Sequence, residues 1–130
     1  MMRHLAGCDL LVVEDEFLIL LDLCTILEDQ GARVTTASSV ADGLAAARAD
    51  RNFAAALLDV RLPDGDVFPV AEELVKRDVP LVFHSGHAQS GELKERFPNA
   101  IALSKPAAER VLIDAMVRTA RANGRSETDD

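Results

Sequence analysis

The stretch Leu10-Leu11-Val12-Val13-Glu14-Asp15-Glu16 decides the fold of this chain. Its four apolar residues are too few for a buried helix, and acidic residues follow at once, so we predict a buried strand that ends at Val13. A helix over residues 16–30 is expected next, with Gly31 as the C′ residue that ends it. The apolar stripe of this helix consists of Ile19, Leu23, Ile26 and Leu27.

The same alternation of a short apolar run with a helical pattern continues along the chain. Further strands are expected over residues 33–37, 54–58, 81–84 and 101–103. The run 54–58 is rich in alanine, which favours a helix, but it lies between a turn and an acid as the first strand does. We therefore predict five strands in all.

The expected helix starts are marked by residues that cap helices. Ser39-x-x-Asp42 resembles a capping box and opens the second helix. The apolar face of that helix carries Val40, Leu44 and Ala47. Asp66 is expected to cap the third helix after a loop over residues 63–65, and Pro69 fits the first turn of that helix.

The remaining helices lie in the last third of the chain. A short helix is expected over residues 92–97. Lys105-Pro106 is expected to open the last helix, which ends near residues 123–124. Its apolar stripe consists of Val111, Leu112, Ala115 and Met116.

Five strands that alternate with five helices predict an α/β fold, a doubly wound parallel sheet with helices on both faces. The order 2-1-3-4-5, called flavodoxin-like, suits five strands and makes strands 1 and 3 neighbours. Ligands of such folds bind beyond the carboxyl ends of the strands. We expect one domain over residues 9–122, a short lead over residues 1–8 and a disordered tail over residues 123–130.

The composition excludes several classes of function. The 130 residues include 14 Lys and Arg against 22 Asp and Glu, a net charge of −8, which disfavours nucleic acid and anionic membranes as partners. The longest apolar runs, residues 17–21 and 53–58, are too short to span a membrane, and no signal peptide is visible. Cys8 and Cys24 have no metal-ligand spacing, so we expect reduced cysteines in a cytoplasmic protein.

Polar residues follow the predicted strands at the edge where a ligand would bind. Glu14 and Asp15 follow the first strand, Asp59 the third, Ser85 the fourth and Lys105 the fifth. Three converging carboxylates would repel one another unless a cation intervened, and Mg²⁺ prefers oxygen ligands. A lysine and a hydroxyl beside them could hold a phosphoryl group, so the set suits the formation of an aspartyl phosphate.

These residues, with the motifs Val-Glu-Asp-Glu, Leu-Asp-Val-Arg-Leu-Pro-Asp-Gly and Lys-Pro, resemble the receiver domain of two-component response regulators over residues 9–122. The resemblance implies that Asp59 accepts the phosphoryl group and that Glu14 and Asp15 hold Mg²⁺. It further implies that Arg61 offers its backbone carbonyl to the metal, that Ser85 is the switch hydroxyl, and that Lys105 contacts the phosphoryl group next to a cis Lys105-Pro106 bond. The donor would be a histidine kinase or a histidine phosphotransfer protein. Because no output domain follows, we expect a stand-alone regulator.

The sequence departs from the family pattern near the fourth and fifth strands. Ala102 stands where many receivers carry an aromatic residue that follows the switch hydroxyl, and Ala107 replaces a frequent Phe after Lys-Pro. Phe83 and Gly86 match a variant subgroup with Phe-Ala-Thr-Gly-Tyr, whereas Ser85 replaces its Thr and His87 its Tyr. We expect the segment 86–91 to order when Ser85 meets the phosphoryl group.

The two histidines near this strand end are not expected to be metal ligands. His84 and His87 form an H-x-x-H pattern, but residues i and i+3 of a strand do not share a face, and no third soft ligand is near. The hypothesis for His87 is that it tunes the hydrolysis of the aspartyl phosphate together with the Arg61 side chain.

The first helix carries more apolar residues than its buried face needs. With Ile19 and Leu23 towards the sheet, Leu18 and Leu21 must point largely outward. In the family this helix binds the kinase, so we expect docking there. A self-association surface, and hence an oligomer, or simply a helix rich in exposed leucines, fits the same pattern.

The leading interpretation is an Mg²⁺-dependent signalling switch, which acts as a phosphate sink, a relay or an effector. It would catalyse only its own phosphorylation and dephosphorylation, so we do not class it as an enzyme. The alternative is a pseudo-receiver, a protein-interaction module that is not phosphorylated. A phosphatase or phosphotransferase like the haloacid dehalogenases is disfavoured, because Arg61 stands where those need a second acid.

Overall fold

The computed structural model describes residues 3–86 and 90–122, with only the backbone of residues 90 and 122. Its strands are β1 Asp9–Val13, β2 Arg33–Ala37, β3 Ala55–Leu58, β4 Arg61–Leu62, β5 Gly65–Asp66, β6 Leu81–Ser85 and β7 Ile101–Ser104. Its helices are α1 Phe17–Asp29, α2 Val40–Arg48, α3 Phe68–Lys76, α4 Ser90–Arg96 and α5 Glu109–Ala122. Every predicted strand is confirmed to within one residue at either end.

The main sheet has five parallel strands in the order β2-β1-β3-β6-β7. This is the predicted order 2-1-3-4-5, with β6 and β7 as the fourth and fifth strands of the prediction. Strands β1 and β3 are therefore neighbours, paired from Leu10 with Ala55 to Val13 with Leu58. The α/β architecture predicted from the alternation of elements is confirmed.

Helices cover both faces of this sheet and define two apolar cores. Leu11, Leu58 and Phe83 pack in the core under α2, α3 and α4. Leu10, Leu57 and Val82 pack in the core under α1 and α5. Successive side chains of a strand point to opposite faces of the sheet. A buried strand with apolar residues at every position therefore contributes side chains to both cores. Leu5 of the predicted lead is fully buried in the second core.

Two predicted helix starts were wrong. The last helix begins at Glu109, whereas Lys105-Pro106 forms a cis peptide bond between β7 and that helix. Asp66 lies in β5, and Val67 occupies the N-cap of α3, although Asp66 Oδ1 still accepts a bond from the Phe68 N–H at 3.3 Å. The predicted end near residues 123–124 and the tail over 123–130 lie outside the described residues.

The segment predicted as a loop over residues 63–65 closes a small antiparallel hairpin, in which β4 pairs with β5. The turn of this hairpin is tied to α2, because the Asp64 carboxylate accepts bonds from the Val40 and Ala41 N–H groups at 2.8 and 3.1 Å. Ser39 Oγ caps the same helix by accepting from the Asp42 N–H at 3.0 Å, as the capping box predicts. Thus two acceptors satisfy the first turn of α2.

No helix within residues 3–86 and 90–122 is long and apolar enough to cross a membrane.

Gly31 ends α1 in the way the sequence predicts. Its φ is +96°, the Gly31 N–H donates to Glu28 O at 2.9 Å, and the Ala32 N–H donates to Leu27 O at 3.2 Å. This pair of bonds is the Schellman motif. A Cβ at Gly31 would lie 2.8 Å from Ala6 Cα, so the backbone at Ala6 leaves no room for a side chain at position 31.

We predict that Gly31→Ala lowers the free energy of unfolding by roughly 2–4 kcal/mol, because it adds a steric clash to the strain of a positive φ. Gly7→Ala is the matched control, since Gly7 has φ +80° but nothing within 4 Å of the added Cβ. It should cost only about 1–2 kcal/mol. Urea denaturation of both variants measures this, and equal losses would contradict the role of the close approach.

Candidate functional site

Two acids are fixed at adjacent strand ends by backbone bonds that continue the sheet. The Glu14 N–H donates to Ala37 O at 3.0 Å, and the Asp59 N–H donates to Val13 O at 2.9 Å. The parallel ladder therefore runs one residue beyond β1 and β3. Glu14 is 1% exposed and Asp59 8% exposed, so both carboxyl groups are taken largely out of water.

Glu14, Asp15 and Asp59 form an acidic cluster in which each residue offers a carboxylate oxygen, and these oxygens all lie within 4.8 Å of one another. Asp15 is exposed, so the cluster is open to solvent on that side. Glu14 Oε2 also accepts a bond from the Glu16 N–H at 3.1 Å, which helps to hold its carboxylate. A set of three carboxylate oxygens suits a hard divalent cation such as Mg²⁺.

Lys105 reaches this cluster from the end of β7. Its Nζ donates to Glu14 Oε1 at 2.8 Å and lies 3.2 Å from Asp59 Oδ2. The Lys105 backbone N–H donates to Ser85 O at 2.8 Å, which ties the ends of β6 and β7 together. A single ammonium thus balances part of the charge of two buried carboxylates.

Burial and charge shift the pKa values of this group of residues. Burial, followed by repulsion from Glu14, raises the pKa of Asp59 to about 6, although Lys105 opposes the shift. Burial lowers the pKa of Lys105, but the hydrogen bond from Nζ to Glu14 and the charges of Asp59 and Glu14 outweigh it and leave that pKa raised. Lys105 is therefore charged at neutral pH, and Asp59 binds a proton more readily than an ordinary aspartate does.

The structure brings together most of the site residues predicted from sequence. Glu14, Asp15, Asp59 and Lys105 meet directly. Ser85 is the last residue of β6, is buried, and joins the group through its backbone bond to Lys105. Arg61 lies two residues after Asp59 in β4, with its side chain exposed. His87 lies outside the described residues.

Sequence reasoning missed two residues near this site. Asp64 fixes the hairpin after Asp59 to α2, and those hydrogen bonds lower the pKa of its carboxyl group. The sequence Pro63-Asp64-Gly65 indicates only a turn, whereas the partner of Asp64 lies 24 residues back in the chain. The H-x-x-H pattern singles out His84 only as a possible metal ligand, whereas the structure shows its side chain buried one residue before the end of β6.

Comparison with known proteins agrees with this geometry. The sequence model of the response regulator receiver domain matches residues 10–117, so the chain belongs to that family. Its members are the receiver domains of two-component signalling, which act as signalling switches and interact with histidine kinases or phosphotransfer proteins.

Solved structures with the same fold include several receivers. A response regulator receiver protein from Sinorhizobium medicae is 28% identical with a TM-score of 0.82, and the match covers 89% of this chain and 96% of that one. A sensor protein from Polaromonas is 31% identical with a TM-score of 0.78, and the match covers 90% of this chain and 98% of that one.

A third similar structure contains a metal. It is the receiver domain of a sensor histidine kinase from Pseudomonas aeruginosa, with a magnesium ion coordinated in its active-site cleft. It is 24% identical with a TM-score of 0.76, and the match covers 89% of this chain and 99% of that one. At that identity the likeness extends to the fold alone. No curated protein matched the sequence.

We predict that Asp59→Asn stabilises the metal-free protein at neutral pH. The pKa of Asp59 is about 6 in the fold against 3.8 in a model compound, so the folded state binds more protons between these values and loses stability as pH rises through them. The free energy of unfolding of the variant should therefore exceed that of the wild type by roughly 1–3 kcal/mol at pH 7–8. This difference in the free energy of unfolding should disappear below about pH 4.

Urea denaturation in the presence of a chelator, from pH 4 to pH 8, measures this difference. Adding Mg²⁺ at pH 8 should narrow the gap, since a cation stabilises the wild-type cluster more than a cluster that lacks one carboxylate. A variant that is less stable than the wild type at pH 8 without metal would contradict the raised pKa of Asp59.

Proposed function

We propose that this receiver accepts a phosphoryl group on Asp59 from a phosphohistidine of a histidine kinase or a histidine phosphotransfer protein. An Asp59 carboxylate oxygen bonds to phosphorus while the P–N bond of the donor breaks, and the imidazole leaves with the bonding electron pair and gains a proton from solvent. Since the pKa of Asp59 is about 6, the carboxylate is mostly ionised at neutral pH and able to attack.

Glu14, Asp15 and Asp59 would hold Mg²⁺, with the backbone carbonyl of Arg61 as a further ligand that the family resemblance implies. The ligand oxygens of the three acids lie within 4.8 Å of one another, and the exposure of Asp15 leaves a route of access, so these residues fit the ion. When bound, the ion offsets the negative charge of the carboxylates and of the transferring phosphoryl oxygens.

Lys105 and Ser85 would hold the phosphoryl group once it is on Asp59. The ammonium already lies 3.2 Å from Asp59 Oδ2, so it can reach an oxygen of a group bonded to that carboxylate with little movement. The Ser85 hydroxyl is a donor at the neighbouring strand end. These contacts would act as a switch to the extent that they are stronger with the phosphoryl group than with the free carboxylate.

One observation carries this proposal: Asp59, two further acids and Lys105 converge at the edge between β1 and β3. Each residue alone is unremarkable at a strand end, but buried carboxylates that repel one another cost stability and persist where function needs them. Since the phosphoryl group goes onto the protein itself, we class the chain as a switch and not as an enzyme with an outside substrate.

We predict that the wild-type protein gains one phosphoryl group when it is incubated with acetyl phosphate and Mg²⁺. The reason is that an Asp59 oxygen bonds to phosphorus while the P–O bond of acetyl phosphate breaks and acetate leaves, so the transfer needs this site and Mg²⁺ but no partner protein. Intact-mass measurement detects the added group. Asp59→Asn, or chelation of the metal, should abolish the gain.

Asp50→Asn is the matched control, since it removes an exposed acid that precedes β3, whereas Asp59 follows the other end of that strand, and it should be phosphorylated like the wild type. A folded wild-type sample that gains no mass, or an Asp59→Asn variant that does, would reject the proposal. The first of these results favours the alternative, a pseudo-receiver that acts as a protein-interaction module without phosphorylation.

We further propose that the kinase or phosphotransfer protein docks on the exposed face of α1, which carries Phe17, Leu18 and Leu21. Their exposed fractions are 71%, 76% and 52%, more apolar surface than a solvated helix needs. Helix α1 starts four residues after β1 ends, so this patch lies next to the acidic cluster. A partner bound there is close enough to present a phosphohistidine to Asp59.

We predict that Leu18→Glu with Leu21→Glu slows phosphotransfer from a phosphorylated histidine kinase at least tenfold, because charge replaces apolar contact area. The rate with acetyl phosphate should stay within about twofold of the wild type, since that donor needs no docking surface. Val111→Glu, at an apolar position of α5 that is 49% exposed, is the control and should leave both rates unchanged. A double variant that loses both rates equally would contradict docking.

We also assign the chain to the variant subgroup with Phe-Ala-Thr-Gly-Tyr, on Phe83 and Gly86. Ala102 is exposed and pairs in register with Phe83, whose ring centroid lies 5.4 Å from that of Phe97 just beyond α4. We infer that the state of Ser85 is communicated through β6, the strand that carries both Ser85 and Phe83, and not through residue 102 of β7. The segment expected to order, 86–91, includes residues 87–89, which lie outside the described residues.

A further inference from the structure

His84 is a buried polar residue to which the proposed phosphotransfer gives no role. It is 6% exposed, and neither Nδ1 nor Nε2 has a hydrogen-bond partner among the described residues. A neutral imidazole carries one N–H donor and one lone-pair acceptor. Buried polar groups normally find partners, so an unpaired imidazole in a strand calls for a functional explanation.

The strand register shows what lies beside this imidazole. His84 follows Val82 by two residues in β6, so both side chains are on the sheet face under α1 and α5. Since Leu57 pairs with Val82, the next position on the same face of β3 is Asp59. On the other side His84 pairs with Leu103, and the next position on that face is Lys105. By this register the imidazole shares its sheet face with Asp59 on the side of β3 and with Lys105 on the side of β7, at the strand ends that carry the site.

The surroundings keep His84 neutral. Burial lowers the pKa of the imidazole, the positive charge of Lys105 lowers it further, and the charge of Glu14 opposes this with a smaller effect. A neutral ring keeps a lone pair on one nitrogen. His84 can therefore act as an acceptor towards a cation.

Lys105 has a hydrogen to offer. An ammonium carries three N–H donors, and the contacts of Nζ are with Glu14 Oε1 and Asp59 Oδ2. Both carboxylates are also members of the acidic cluster, where a bound cation would compete for their lone pairs. The ammonium then needs another acceptor to stay in the site.

We propose that His84 is a positioning residue for Lys105, whose ammonium donates a hydrogen bond to the neutral imidazole when the carboxylates of Glu14 and Asp59 are engaged by metal. This inference rests on the proposed function. The bond holds a long and flexible side chain where it meets a phosphoryl oxygen. Without it, Lys105 samples more positions and the transfer to Asp59 slows, while the metal ligands are unchanged.

The test compares substitutions at His84 by their rates of phosphorylation with acetyl phosphate and Mg²⁺. His84→Leu removes the acceptor at similar volume and should lower the maximum rate about tenfold, with the affinity for Mg²⁺ within twofold of the wild type. His84→Asn and His84→Gln place a carbonyl near the positions of Nδ1 and Nε2, so one of them should recover most of the rate. Thermal denaturation without metal should find His84→Leu at least as stable as the wild type, since the substitution removes the buried, unpaired imidazole.

Val82→Ala is the matched control, because it alters the same face of the same strand without removing a polar group. It should lower stability and leave the rate of phosphorylation within twofold. A His84→Leu variant with the wild-type rate would overturn the inference. So would equal losses in the Leu, Asn and Gln variants, since these would indicate a packing role.

A second measurement does not depend on phosphorylation. The ¹⁵N chemical shifts of the His84 ring, recorded with Mg²⁺ but without a phosphoryl donor, should change on Lys105→Met at the unprotonated nitrogen. Identical shifts in the two proteins would overturn the inference even if every variant were phosphorylated. A wild type that is never phosphorylated rejects the proposed function instead, and the NMR comparison still decides whether Lys105 donates to His84.

Discussion

The contact of the Lys105 ammonium with Glu14 and Asp59 is the interaction on which the rest of the site depends. Two carboxyl groups that are 1% and 8% exposed would repel each other strongly in a medium of low dielectric constant. Despite the ammonium at 2.8 and 3.2 Å, burial and then the charge of Glu14 raise the pKa of Asp59 to about 6. The site therefore retains an excess of negative charge, which favours a divalent cation.

The sheet supplies the precision that this contact requires. The residues of the cluster follow β1, β3 and β7, and all strands of the sheet are parallel, so their carboxyl ends meet at one edge. Backbone bonds from Glu14 to Ala37 and from Asp59 to Val13 extend the ladder into the site. The functional side chains thus stand at the ends of hydrogen-bonded strands, whereas the hairpin after Asp59 is attached to α2 by Asp64.

The two faces of the sheet bring different groups to the same strand end. On the face under α1 and α5, His84 is buried, and the strand register places Asp59 and Lys105 on the same face at the neighbouring strand ends. On the opposite face Phe83 packs against Phe97, and the Arg96 guanidinium lies 4.2 Å from the centre of the Phe68 ring while pairing with Glu72. The end of α4 is therefore joined both to α3 and to the strand that carries Ser85.

The sequence by itself determined the strands, the sheet order and the residues at the strand ends, because these depend on local apolar runs and on the rules of parallel topology. It also determined the end of α1 at Gly31, since the Schellman motif is local. It missed the hairpin and the start of α5 at Glu109, where short segments take their form from distant contacts. Only the tertiary structure decided the contacts of Asp64 and the burial of His84, because burial depends on what other elements cover a residue.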